Sequence, residues 1–128
     1  MIGENKDSEA SDAIIRIVDE EDARPVWIGI WGGPQEVDQA IWKVQKTRSP
    51  EDLDAFLDKL RIFMIGLGNK AGQDGSGQWL LDNFPNLLIV VSQKTYGGMF
   101  AQKSPLGNIK WIDANIRKGH GPLGAIYP

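Results

Sequence analysis

The stretch PVWIGIWGGPQEVDQAIWKV, residues 25–44, decides the fold class. After Pro25 the next six residues are β-branched, aromatic or glycine, a run too short for a helix and apolar on both alternating faces, as in a buried parallel strand. Gly32-Gly33-Pro34 then turns the chain sharply. Val37, Ala40, Ile41 and Val44 follow at i, i+3, i+4 and i+7, the period of an amphipathic helix packed on a sheet, with Gln35, Asp38, Gln39 and Lys43 expected to face elsewhere.

The same alternation extends outward. Upstream, a polar leader of ten residues, expected to be frayed, precedes a helix carrying Ile14, Ile15 and Val18, for which Ser11 is the expected cap. The acidic run Asp19 to Asp22 ends that helix and reads as a solvated loop, because acid opposes the dipole at a helix C-terminus. Downstream, Ser49-Pro50-Glu51-Asp52 combines a hydroxyl cap, proline in the first turn and early acids, so a helix with Leu53, Phe56, Leu57 and Leu60 is predicted. RIFMI is a second strand. A glycine-rich loop and a short helix with Trp79, Leu80 and Phe84 lead to Pro85, and NLLIVVS, the most apolar run, is read as a central strand covered on both faces. Ile109, Ile112 and Ile116 suggest a last helix ended by Gly119.

Strands separated by helical crossovers must pair in parallel with right-handed connections. The expectation is an α/β fold, a three-layer Rossmann-like parallel sheet with helices on both faces, in one domain over residues 1–128. Val26 to Trp31, Ile62 to Ile65 and Leu87 to Val91 are its neighbouring parallel strands. Ligands of such sheets bind beyond the C-terminal strand ends, so Trp31 to Gln35, Gly66 to Gly77 and Ser92 to Gly98 should converge there.

Composition narrows the function. The chain has 128 residues, 41% hydrophobic and 24% charged, the balance of a globular domain. A net charge of −3 with scattered basic residues argues against nucleic acid. No apolar run nears the ~20 residues that span a bilayer, so no membrane partner is expected. Zero cysteines leave the compartment open while removing thiolate chemistry, and a single histidine, His120, excludes any site needing two. Any metal must be held mainly by oxygen.

Each candidate motif has a plainer reading beside it. Gly66-Leu67-Gly68-Asn69-Lys70-Ala71 matches a dinucleotide fingerprint in form, yet more loop intervenes before any helix. Gly32 to Gln35 suits a hard cation or small polar ligand, or is simply a tight turn. Asp74 with Ser76 is a ligand pair or ordinary turn chemistry. His120 is a proton donor or an inert surface imidazole. Trp31, Trp79 and Tyr96 are stacking platforms or core edges.

Residues 24–63, RPVWIGIWGGPQEVDQAIWKVQKTRSPEDLDAFLDKLRIF, with QDGSGQWLLDNFPNLLIVVS at 73–92, NI at 108–109 and HGPLGAIYP at 120–128, resemble the nucleoside-hydrolase-like family that includes proteins described as cellulose-binding. That resemblance implies N-glycosidic bond hydrolysis, with calcium holding the ribose and activating water. It also implies a nucleoside or sugar ligand and a chain cut short at both ends relative to the complete fold. It makes the Gln35 backbone carbonyl a candidate calcium ligand and His120 a candidate catalytic histidine. Gly33, Asp74, Ser76 and Tyr96 become candidate ligand-binding residues. The family's aspartate cluster, D-x-D-x-x-x-D-D, is absent from this sequence, so the chain alone is expected to hold no calcium and to be inactive. The alternative is a non-catalytic carbohydrate-binding module built on Trp31, Trp79 or Tyr96.

Overall fold

The computed structural model describes residues 2–67, 76–92 and 108–127 and divides into two compact units, 1–92 and 93–128. In the first, β1 (Val26–Ile30), β2 (Leu60–Met64) and β3 (Leu88–Val91) form a parallel sheet in the order β1-β2-β3. Val26 is level with Leu60 and Ile30 with Met64, while Arg61 is level with Leu88 and Met64 with Val91. Helices α1 (Glu9–Asp19), α2 (Gln35–Thr47), α3 (Pro50–Lys59) and α4 (Ser76–Asn83) complete the unit. The parallel α/β fold expected from the alternating pattern is what the chain adopts, with each strand within two residues of its predicted limits.

The core lies on the sheet face of Val26, Ile28, Ile30, Leu60, Ile62, Met64 and Ile89, against Val18 of α1, Ile41 and Val44 of α2, Phe56 of α3 and Leu80 of α4. Ile41, Leu60, Ile62, Met64 and Leu80 are wholly inaccessible. Each such side chain contributes about 1.5–3 kcal/mol from burial. α3 starts as its sequence dictates, the Ser49 hydroxyl accepting the Asp52 N–H at 3.1 Å with Pro50 in the first turn.

Two local expectations need correction. NLLIVVS does not form the central strand: among the described residues β2 is central and β3 lies at the edge, with Leu88, Val90 and Val91 exposed. Apolar content measures the surface a strand carries, not how many strands flank it. The α1 cap is Ser8, not Ser11. The Ser8 hydroxyl accepts the Ser11 N–H at 3.1 Å and the Ser11 hydroxyl accepts the Ser8 N–H at 2.9 Å, a reciprocal capping box. Asp38 and Gln39, expected to face elsewhere than the apolar stripe of α2, are buried. The Gln39 side-chain amide accepts the Gly3 N–H at 2.8 Å and donates to the Gly3 carbonyl at 2.9 Å and to Asp7 at 2.7 Å. Lys43 bridges Asp7 and Asp12, each at 2.8 Å. The polar leader thus supplies the partners that let a polar face of α2 be covered.

In the second unit, α5 (Ile109–Ile112) begins at Asn108, whose side chain accepts the Trp111 N–H, and runs on as one wider turn over Asp113–Arg117. A further short helix, α6 (Gly121–Ala125), has Pro122 in its first turn and was not anticipated from the sequence. No helix among the described residues is long and apolar enough to cross a membrane.

Candidate functional site

β1 ends at Ile30, and the next four residues turn the chain so that α2 begins at Gln35 with its N-terminus at the C-terminal end of the sheet. The Asp38 N–H donates to the Pro34 carbonyl at 2.9 Å, fixing the first helical turn to the glycine turn. The Gln35 side chain folds back onto Gly33, where a Cβ would stand 2.6 Å from Cδ and 2.7 Å from Nε2, a contact with the end of a flexible side chain that a rotation of Gln35 relieves. Gln35 is the first residue of α2, so its carbonyl lies within the helical ladder. The group it sets at the turn is its side-chain amide.

The second segment at this end follows β2. Gly77, the second residue of α4, packs against the backbone of Leu67, three residues beyond the strand, so α4 also directs its N-terminus to the C-terminal edge of the sheet. There Ser76 is 8% exposed, and its hydroxyl has no hydrogen-bond partner among the described residues. Two helix N-termini, with their unpaired amides and partial positive charge, thus face one edge, and α2 packs on α4 behind them. Asp38, in the first turn of α2, is fully buried at the same end. The sequence places it off the apolar stripe of α2, and the i+4 spacing from the Gly-Pro turn is the signal that singles it out.

Of the candidate residues, Gly33 and Gln35 touch one another and Ser76 lies on the same sheet edge, while Asp74 and Tyr96 fall outside the described residues, as do residues 68–71 of the dinucleotide-like motif. His120 belongs to the second unit, where it immediately precedes α6 and its Nε2 lies 2.8 Å from the Ala114 carbonyl oxygen. Trp31 is half exposed and tilted 48° to Phe63 at 6.3 Å, whereas Trp79 packs into the core edge-on to Phe84 at 5.2 Å. A shallow cleft of about 290 Å³ between Asp54, Asp58, Asn83 and Asn86 lies at the opposite edge, among residues that precede β2 and β3.

The donors do not complete a calcium site. Calcium takes about 6–8 oxygens, several from carboxylates, and no three His, Asp or Glu side chains among the described residues converge. What the edge offers is hydrogen bonding: helix amides, the Gln35 amide and the Ser76 hydroxyl.

The profile of the family described as "Cellulose-binding Sde182, nucleoside hydrolase-like domain" matches residues 1–128. A solved structure, that of a nucleoside hydrolase-related hypothetical protein from Saccharophagus degradans associated with carbohydrate metabolism, is 44% identical with a TM-score of 0.76. The match takes in 99% of this chain and 28% of that one, so this chain spans little more than a quarter of its solved relative. A search of curated proteins finds no match. With the family profile covering its whole length and the parallel sheet in place, the chain belongs to the nucleoside hydrolase-like domains of the cellulose-binding Sde182 family.

Proposed function

We propose that this domain supplies one wall of a glycosyl-ligand crevice in a nucleoside hydrolase-like glycosidase, binding the sugar of a nucleoside or glycoside through the turn at Gly33 and Gln35 and the start of α4. The observation that carries the reading is the Ser76 hydroxyl, buried without a partner among the described residues at the edge where open α/β sheets take ligands. A sugar hydroxyl, at once donor and acceptor, satisfies such a group, and the neighbouring amides orient further ring oxygens.

Cleavage of the glycosidic bond lies outside what these residues do. An oxocarbenium-like transition state calls for an activated water and an acid at the leaving group, and the described residues bring no carboxylate cluster together. In this reading the domain binds and orients while carboxylates from elsewhere supply the acid-base and calcium chemistry.

Titration of the chain with ribose, inosine and cellobiose, followed by tryptophan fluorescence and calorimetry, tests the proposal. Saturable binding weakened tenfold or more by Ser76→Ala is the expected result. Binding that is unchanged by Ser76→Ala but lost in Trp31→Ala would instead favour the carbohydrate-binding module, for which the exposure of Trp31 is the supporting observation.

A further inference from the structure

Among the described residues, the leader ahead of α1 is held to the fold by polar groups. No side chain between Gly3 and Asp7 joins the core, and Glu4, Asn5, Lys6 and Asp7 are exposed. The segment bends tightly, the Lys6 N–H donating to the Gly3 carbonyl at 3.2 Å, with Gly3 at φ 140° and Asn5 at φ 60°, the left-handed region that Gly and Asn tolerate. Its hold on α2 runs through two side chains. Gln39 accepts the Gly3 N–H at 2.8 Å and donates to the Gly3 carbonyl at 2.9 Å and to the Asp7 carboxylate at 2.7 Å. Lys43 reaches the other Asp7 oxygen at 2.8 Å.

One residue later the character of the chain changes. Ser8 and Ser11 close the capping box, Ser11 is wholly buried, and Ile14, Ile15 and Val18 fix α1 to the core. Segments with few buried apolar contacts open at a small free energy, whereas elements packed on the core open only with the whole fold. We propose that Gly3–Asp7 is a latch on the flank of α2 that opens as one piece about the start of α1 while the sheet stays folded, and that acid releases it.

Release turns on the Asp7 carboxylate. It accepts from Lys43 and Gln39 at once, and the charged groups facing it are Lys43 on α2 and, across that ammonium, Asp12 on α1. The hydrogen bond from Lys43, and then that from Gln39, hold its carboxyl below the ordinary 3.8. A carboxyl depressed on folding stabilises the closed form above its unfolded value, and that contribution is lost as pH falls through the folded one, here below 3.8. Protonation leaves Lys43 to Asp12, a pair that joins α1 to α2 and holds no part of the latch. Opening bares Gln39, which is 3% exposed when latched and follows Gln35 by one turn on the same face of α2. The latch stands independently of the sugar reading.

Two measurements on the 128-residue chain test the latch. In amide NMR spectra recorded from neutral pH to below 3.8, the Gly3 amide should lose its hydrogen-bonded shift while the Ile62 amide, in β2, keeps its own. At neutral pH, trypsin should cut after Lys6 at least tenfold faster in Gln39→Met and threefold faster in Lys43→Met than in the parent. Asp12→Asn, which breaks only the link between α1 and α2, should leave the rate unchanged. Urea midpoints verify folding, and Lys43→Met, at a partly exposed position, decides the case if Gln39→Met does not fold. A Gly3 amide that keeps its shift through the acid range, or loses it only together with Ile62, would overturn the proposal. So would cleavage of either folded variant at the parent's rate.

Discussion

Gly77 lies so close to Leu67 that a Cβ on the glycine would stand 2.8 Å from the Leu67 carbonyl oxygen and 3.0 Å from its Cα. The obstacle is backbone on both sides, so neither element yields by a rotamer change. Through this contact a single residue sets how far the start of α4, and with it Ser76, sits from the end of β2.

Gly77→Ala should therefore destabilise the domain by about 1–3 kcal/mol, the cost of overpacking a tight site, even though alanine favours helix formation at an unhindered position. Urea unfolding of the variant and the parent checks this. An unchanged or higher midpoint would mean that the approach of α4 to Leu67 is looser than described.

The one-sided core predicts a sharp contrast between the two faces of the sheet. Ile62→Ala, at a wholly buried position in the central strand, should cost about 2–5 kcal/mol. Val90→Ala, in a 43% exposed position on the edge strand, should cost under about 1 kcal/mol. Comparable losses at the two positions would show that the face of Val90 is covered within this chain.

How much of this could be read from the sequence follows from the range of each interaction. Ser49-Pro50 and the strand runs are local signals and placed α3 and all three strands. The burial of Gln39 rests on Gly3 and Asp7, more than thirty positions away, and its helical period gave no hint of them. For the same reason the glycine at 33 was legible as a turn, while the side chain of Gln35 folded against it was not. The orphaned hydroxyl of Ser76 depends on burial that only the assembled fold creates.

Ser76→Ala separates a structural role from a binding role. A buried hydroxyl without a partner gives the fold nothing, so removing it should leave stability within about 0.5 kcal/mol or raise it. If thermal or urea unfolding shows a loss above about 1 kcal/mol, the hydroxyl has a partner in the folded chain and ceases to be a group awaiting a ligand.

Asp19 makes two short hydrogen bonds with Arg48, at 2.7 and 2.6 Å, joining the end of α1 to the end of α2. The Arg48 guanidinium, itself stacked 5.5 Å from the centre of the Phe56 ring, holds the Asp19 carboxyl below its ordinary 3.8 against the opposing effect of partial burial. A carboxyl depressed on folding stabilises above its unfolded value, and that contribution is lost as pH falls through the folded one. Solvent screening limits it to about 1 kcal/mol or less, since the Asp19 side chain is 42% exposed. The difference in urea midpoint between the parent and Asp19→Asn should be present at neutral pH and disappear below 3.8. A difference that persists at the acid end would assign the effect to packing.

The chain by itself should not hydrolyse inosine or uridine. Ribohydrolysis of the family type needs a cation with about 6–8 oxygen ligands to activate water. The sequence has no D-x-D-x-x-x-D-D run, and among the described residues no three His, Asp or Glu side chains approach one another. Asp38 is the buried carboxylate nearest in sequence to the glycine turn, and one carboxylate cannot both bind such a cation and accept the proton of its water. Incubating the purified chain with either nucleoside and calcium should release base no faster than buffer does. Turnover that a chelator abolishes would place a complete metal site within these 128 residues and overturn the division of labour proposed here, in which this domain holds the sugar and another part of the protein cuts the bond.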